Sequence, residues 1–147
     1  MKAFKLERSL TYRLHQLHKL TDAQSQRAYA AHTGLPMSEA RCLTAVGSFA
    51  PLSVNELASK ANLNKAQASR AAQALVERGL VSKIDSILDK RGVVLALTDV
   101  GKTSWQAAMN VVAQRNQDIF SMLSDDEKTT LSELFDRLIK QAKNEKR

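Results

Sequence analysis

The sequence predicts a mainly α-helical fold with a small β wing of two or three strands. In this fold, N- and C-terminal dimerisation helices flank a winged helix-turn-helix. Three observations support the prediction. Apolar residues recur at helical spacing towards both ends of the chain. Two capped helical segments, separated by a tight turn, lie within residues 53–78. The apolar spacing then changes to two over residues 80–98, as in a β hairpin.

Length and composition are those of a single globular domain, and the net charge makes an anionic partner plausible. The chain has 147 residues, of which 44% are apolar and 25% charged. Its net charge of +7 favours a polyanion. Residues 1–32 contain six Lys/Arg against two acidic residues, and residues 60–91 contain seven against three. One cysteine excludes an internal disulfide, and there is no apolar run of membrane length or signal peptide. We therefore expect a cytoplasmic, nucleoid-associated protein.

The first two helices are predicted over residues 5–32 and 38–48, separated by Gly34-Leu35-Pro36. Leucines spaced by four and three give the first helix an apolar stripe, which we expect a partner or the far end of the chain to cover. His15 and His18 lie one turn apart, but no further ligand follows at metal spacing, so we expect neither a metal nor a cofactor. Cys42 in the second helix is either a buried small hydrophobe, which we favour, or a redox thiol.

The helix-turn-helix follows from two capping patterns. Ser53 with Glu56 opens a short helix over residues 54–61, and Asn64 with Gln67 opens a second helix that runs to residue 78. The second helix has an inner face of small and apolar residues: Ala68, Ala71, Ala72, Leu75 and Val76. Its outward N-terminal half is polar and basic. Such a helix is either an ordinary bundle helix or a DNA reader, and the capped helix before it favours the reader.

The wing is predicted as two strands over residues 80–85 and 93–98. Arg91 in the connecting loop has the reach to enter a minor groove, with Asp89 placed to hold it. The alternative is a solvated hairpin loop, since Asp-Lys-Arg-Gly is ordinary turn chemistry. A hairpin that directly follows a helix-turn-helix favours the wing.

Two more helices are predicted after the wing, one from Thr98-Asp99 to about Leu123 and one opened by the capping box of Ser124 and Glu127. With the first helix they carry more apolar surface than the winged lobe can cover, which favours a symmetric homodimer. The residues expected at its interface are Leu6, Leu10, Leu14, Leu131, Leu134, Phe135, Leu138 and Ile139. We expect one domain over residues 1–147, with dimerisation helices at 1–34 and 99–147. The DNA-binding lobe is expected at 36–98, with its recognition helix at about 64–78 and its wing at about 81–98.

The order of these elements resembles that of the MarR family of bacterial transcriptional regulators over nearly the whole chain. Three motifs carry the resemblance: Leu-x-x-x-Gly-Leu-Val at residues 75–81, Asp-x-Arg at 89–91, and Leu-Thr-x-x-Gly at 97–101. The resemblance implies a DNA-binding homodimer, expected to be a repressor, on a pseudo-palindromic operator. It implies that the second helix of the motif enters the major groove while Arg91 reaches the minor groove. Two positions depart from the family pattern: the apolar Ile87-Leu88 in the loop, and Lys83 where Arg is frequent.

Carried onto this chain, the resemblance and the charge pattern assign DNA contacts to Ser53, Asn64, Lys65, Gln67, Ala68, Ser69, Arg70, Lys83, Asp89, Lys90 and Arg91. The basic residues would mostly neutralise phosphates. Gln67, Ser69 and Asn64 would read base edges, and Arg91→Ala would weaken operator binding by roughly 1–3 kcal/mol. The resemblance also implies a site for a small-molecule effector, such as an aromatic acid, between the dimerisation helices and the winged lobe. The candidates there are Arg13, His15, Cys42 and Trp105.

Two other function classes fit less well. An enzyme is not expected, because no nucleophile–base arrangement, Gly-rich phosphate loop, HExxH or CxxC motif is present. A winged-helix protein-interaction module without specific DNA binding would have neither a basic reader nor a basic wing. Lys65, Arg70 and Arg91 contradict that expectation.

Overall fold

The computed structural model describes residues 3–85 and 92–145, and its architecture confirms a mainly helical fold with a small β wing. A 3-10 turn at Leu6–Arg8 precedes the first helix. The elements then follow in the order α1 Leu10–Thr33, α2 Met37–Phe49, α3 Val54–Lys60, α4 Lys65–Glu77, β1 Val81–Asp85, β2 Val93–Leu97, α5 Asp99–Phe120 and α6 Asp125–Glu145. Within these described stretches, no helix combines the length and the apolar character needed to cross a membrane.

The prediction of one continuous helix from residue 5 is wrong at its start. The 3-10 turn ends at Ser9, whose backbone is extended, and α1 begins at Leu10. The Ser9 hydroxyl donates to the Leu6 carbonyl at 2.8 Å and accepts from the Tyr12 amide at 3.3 Å, so it caps α1. Leu6 therefore lies outside the helix that carries Leu10 and Leu14. Gly34, at φ +69°, ends the helix as expected.

Helices α2, α3 and α4 form the core of the winged lobe. Both predicted capping boxes are present, Ser53 with Glu56 and Asn64 with Gln67. The predicted inner face of α4 is buried from Ala68 to Leu75, against Leu43 of α2 and Leu57 of α3 in the same hydrophobic cluster. Because alanines line most of this face, α4 can lie close to its neighbours.

The wing is an antiparallel pair in which Val81 faces Leu97 and Asp85 faces Val93. Leu52 adds a one-residue third rung, since its amide and carbonyl both bond to Leu95, at 3.2 and 2.7 Å. This agrees with the expected two or three strands. The predicted wing contacts Asp89, Lys90 and Arg91, like the apolar pair at residues 87–88, lie outside the described residues.

Thr98 joins the end of α4 to the start of α5. Its hydroxyl donates to the Gly79 carbonyl at 2.6 Å and accepts from the Gly101 amide at 2.9 Å, so it caps α5 as predicted. Gly79, at φ +77°, makes the left-handed turn after α4. A Cβ at Gly101 would overlap the Leu80 carbonyl oxygen. The motifs at residues 75–81 and 97–101 therefore meet in one junction.

The chain forms two compact units, Met1–Ala113 and Gln114–Arg147. In the second, the end of α5 and α6 form a helical hairpin. The predicted capping box is present: the Ser124 amide donates to the Glu127 carboxylate at 2.8 Å, and the Glu127 amide donates to the Ser124 hydroxyl at 3.2 Å. The backbone amide of Ser124 donates to the Glu127 carboxylate and lowers its pKa. Helix α6 exposes four of the predicted dimerisation residues: Leu134, Phe135, Leu138 and Ile139. Leu131 is half-buried. The division into a lobe at 36–98 and dimerisation helices remains a prediction.

Candidate nucleic-acid interface

The N-terminal half of α4 presents a polar and basic surface to solvent. Lys65, Gln67, Ser69 and Arg70 are all exposed within the first two turns. Ala68 is not part of this surface, because its side chain is 0% exposed and belongs to the hydrophobic core. Its assignment as a DNA contact is therefore wrong: a methyl group on the packed face of α4 cannot reach a groove on the opposite face.

The capping box engages the two amide side chains expected to read bases. Asn64 Oδ1 accepts from the Gln67 amide at 2.8 Å, and Gln67 Oε1 accepts from the Asn64 amide at 3.2 Å. Bidentate recognition of adenine requires a side-chain carbonyl as well as an NH₂ group. The capping box uses one lone pair of each carbonyl oxygen and neither NH₂ group, so each side chain keeps its NH₂ group to donate to a base edge. That group suits acceptors such as guanine O6 and N7 or thymine O4.

Ser53 caps the start of α3 in the same way. Its hydroxyl accepts from the Glu56 amide and its own amide donates to the Glu56 carboxylate, both at 3.2 Å. The residue is half-buried. Its contact with DNA stays a prediction, while its role as the cap of α3 is confirmed.

Three polar contacts involve residues in the C-terminal half of α4 or at its C-cap. Lys83 on β1 donates to Gln73 Oε1 at 3.1 Å, and Gln73 Nε2 donates to Glu77 at 3.2 Å. Arg78 Nε donates to Glu39 Oε1 of α2 at 2.7 Å. Sequence reasoning missed this ion pair, because its partners are 39 positions apart and belong to no local pattern. The one hint of this ion pair in the sequence is a charged residue, Arg78, at the end of a predicted helix.

The four residues proposed for an effector site differ in their surroundings. Cys42 is 0% exposed, and burial, followed by the nearby Glu39 charge, raises the pKa of its thiol to about 11. Trp105 is half-buried, and its Nε1 donates to the Thr44 carbonyl at 3.3 Å. Arg13 and His15 are exposed on α1. Their joint role as an effector site stays a prediction.

Two adjoining cavities of the first unit are lined by other side chains. One, of about 330 Å³, is lined by His18, Arg41, Thr44, Lys60, Ala61 and Asn62. The other, of about 170 Å³, is lined by Thr44, Ala45, Ser48, Phe49, Lys60, Met109 and Val112. They share Thr44 and Lys60, so a polar basic cavity continues into a mainly apolar one.

The larger cavity has more positive than negative groups. Asp22 accepts from Arg41 Nη2 at 2.8 Å and lies 3.1 Å from His18 Nε2. Lys60 Nζ lies 4.8 Å from the centre of the Phe49 ring, at the junction of the two cavities. An anion with an apolar body matches this arrangement. Its charge would meet Arg41 and Lys60, and its body would lie along Phe49.

Comparison with known proteins gives a family match over part of the chain and a shared fold. Residues 33–92 match the MarR family, whereas no curated protein sequence matches the chain. A MarR/EmrR family regulator from Acinetobacter sp. ADP1 superposes with a TM-score of 0.87 at 23% identity, over 96% of this chain and 99% of that one. A MarR family regulator from Silicibacter pomeroyi superposes with a TM-score of 0.82 at 22% identity, over 95% of this chain and 93% of that one. BpsR of Bordetella bronchiseptica superposes with a TM-score of 0.82 at 17% identity, over 93% of this chain and 97% of that one. The DNA binding of BpsR is regulated by 6-hydroxynicotinic acid.

The family match covers the helix-turn-helix and the first strand, including the capping box of the reader. The structural matches extend the same fold over both flanking helical regions. Together, the comparisons show that residues 33–92 match the MarR family and that the chain shares the fold of solved MarR family regulators.

Proposed function

We propose that the chain is a sequence-specific DNA-binding regulator, a repressor, that binds a pseudo-palindromic operator as a homodimer. The observation that carries this proposal is the surface of α4. Its exposed first two turns are polar and basic, while its opposite face is packed on the core. A helix of this kind, preceded by a capped helix and a tight turn, has the form of a major-groove reader.

Phosphate contacts account for the expected affinity. Lys65 and Arg70 are exposed near the positive end of α4, where a DNA phosphate is also attracted by the helix dipole. Lys83 supplies a further charge from β1. We propose that Lys90 and Arg91 extend the same interface along the wing, with Arg91 in the minor groove. Binding should then weaken steeply as salt concentration rises.

A second copy of this chain is the proposed cover for the exposed apolar faces. Leu10, Leu14 and Leu17 are each more than half exposed on α1, and α6 exposes Leu138 and Ile139 to a similar extent. Several large apolar side chains exposed on one helix favour an interaction site on that helix. A two-fold dimer would cover equivalent faces on both chains and would place two readers on two half-sites.

We propose that the effector is an organic anion with an apolar or aromatic body, held in the two adjoining cavities. Regulation of BpsR by 6-hydroxynicotinic acid is a precedent within the same fold. Trp105, the single tryptophan, donates to the carbonyl of Thr44, which lines both cavities. Titration of 6-hydroxynicotinate and related aromatic acids should therefore change its fluorescence. Lys60→Gln should weaken that response, whereas Lys102→Gln, at an exposed position of α5, should leave it unchanged.

Selection of bound DNA from a random pool tests the main proposal, because it reports half-site, symmetry and spacing together. We expect two inverted half-sites about one helical turn, roughly 34 Å, apart. Arg70→Gln should then lower affinity and reduce the slope of log K against log salt by about one, whereas Lys140→Gln on α6 serves as a charge-matched control. A chain that binds neither the selected DNA nor random duplex at low salt would instead be a protein-interaction module.

A further inference from the structure

The packed face of α4 carries few large side chains that could interlock with its neighbours. Ala68, Ala71 and Ala72 contribute only methyl groups, and Leu75 is the one large side chain among the fully packed residues of α4. Interlocking of large side chains is what normally gives a packed helix a unique setting. Methyl groups allow close approach but oppose rotation about the helix axis only weakly. Leu75, with the partly buried Val76, supplies most of the shape of this face, so a polar contact at the end of α4 can add to what sets its rotation.

The polar contact best suited to this task is the ion pair between Glu39 and Arg78. Arg78 follows the last residue of α4 as its C-cap, and Glu39 lies in the first turn of α2. The Nε–Oε1 distance is 2.7 Å, and the Glu39 side chain is only 13% exposed. A carboxylate so largely withdrawn from water depends on its partner more than a surface carboxylate does. The other contact at this end, Lys83 with Gln73, joins two exposed residues.

We infer that Glu39 and Arg78 are positioning residues, whose ion pair sets the rotation of α4 and so aligns its N-terminal side chains with base edges. The inference rests on the proposed function of α4 as a DNA reader. Side-chain tips lie roughly 5–6 Å from a helix axis. A rotation of about 10° therefore moves a tip by about 1 Å, enough to take a hydrogen bond out of its ~2.7–3.2 Å range.

Glu39→Gln separates positioning from simple charge, because the two effects have opposite signs. Removal of a carboxylate raises the affinity of a protein for DNA when only long-range charge matters. Loss of positioning lowers affinity for the operator and leaves affinity for random duplex unchanged or slightly raised. Glu77→Gln is the matched control, since it removes a carboxylate one position before Arg78 and leaves the ion pair intact.

The experiment measures affinity for the selected operator and for random duplex in wild type, Glu39→Gln, Arg78→Gln, the double variant and Glu77→Gln. The ratio of the two affinities does not depend on the fraction of folded protein. We expect Glu39→Gln to lower this ratio about five- to tenfold, the low end of the cost of one lost base contact. Glu77→Gln should not lower the ratio, and the double variant should lose no more than Arg78→Gln, because the pair acts as a unit.

Other results would overturn the inference. If Glu39→Gln behaves like Glu77→Gln, the pair does not position the reader. If Arg78→Gln lowers affinity for operator and random duplex equally, with a salt slope reduced by about one, Arg78 is a phosphate contact. A wild-type chain with no preference for any selected DNA would refute the proposed function itself, which makes the two failures distinguishable.

Discussion

Replacement of Asn64 separates its role as a helix cap from its proposed role in reading DNA. Its Oδ1 accepts from the Gln67 amide at 2.8 Å, and Asn64→Ala removes this acceptor. Loss of an N-cap side chain costs about 1 kcal/mol, and at this exposed position water can replace part of the bond. Asn64→Asp keeps the acceptor. It also places a carboxylate at the start of a helix that has no acidic residue in its first turn, which stabilises by about 0.3–1 kcal/mol.

The effect on DNA binding should run in the opposite direction. Asn64→Asp removes the NH₂ donor and adds a negative charge at the end of α4 that we propose faces phosphates. Operator affinity should fall by at least about tenfold, or roughly 1.4 kcal/mol. Asn64→Ala should reduce it less. The assays are urea unfolding and an operator titration at fixed salt concentration. Wild-type affinity in Asn64→Asp would refute the groove assignment, and unchanged unfolding in Asn64→Ala would refute the contribution of the cap.

Three further predictions concern the scaffold. Gly47→Ala should lower the free energy of unfolding by about 1–3 kcal/mol, because the added Cβ would overlap the Trp105 ring. Unchanged urea unfolding together with unchanged Trp105 fluorescence would contradict this packing. Cys42 should react slowly with a thiol reagent at pH 8, since its pKa is raised from 9.0 to about 11. The stability linked to this neutral thiol is fully present below pH 9 and is lost as pH rises through about 11; rapid reaction of folded protein would contradict its burial. Leu138→Arg, on the exposed face of α6, should shift sedimentation towards monomer, and an unchanged mass would exclude that face from the interface.

The features predicted correctly from the sequence are those encoded over a few residues. The capping boxes at Ser53, Asn64 and Ser124 each need only a suitable residue three positions later, and all three are present. A cap is a contact between positions i and i+3, so one chain segment contains all the information required. The Glu39–Arg78 pair spans 39 positions, and nothing near either residue indicates the other.

Two errors have different physical origins. The family resemblance assigns Ala68 to the DNA surface, although its helical spacing to Ala71, Ala72 and Leu75 predicts the packed face on which the structure places it. In that case the apolar periodicity of α4 is enough to predict that Ala68 is buried. At Ser9 it is not: apolar spacing continues from Leu6 to Leu10, and periodicity does not distinguish a continuous helix from one that starts again at a serine cap.

Helix α2 brings the proposed effector cavity and the proposed positioning pair into one rigid element. Glu39 and Arg41 are two positions apart, so about 200° of helical rotation separates their directions. Accordingly, Arg41 pairs with Asp22 of α1 at the cavity, while Glu39 pairs with Arg78 at the end of the reader. An anion that draws Arg41 away from Asp22 would displace the same turn that holds Glu39. In the proposed mechanism, a ligand can therefore change the rotation of α4 within one chain, before any change in the spacing of two readers.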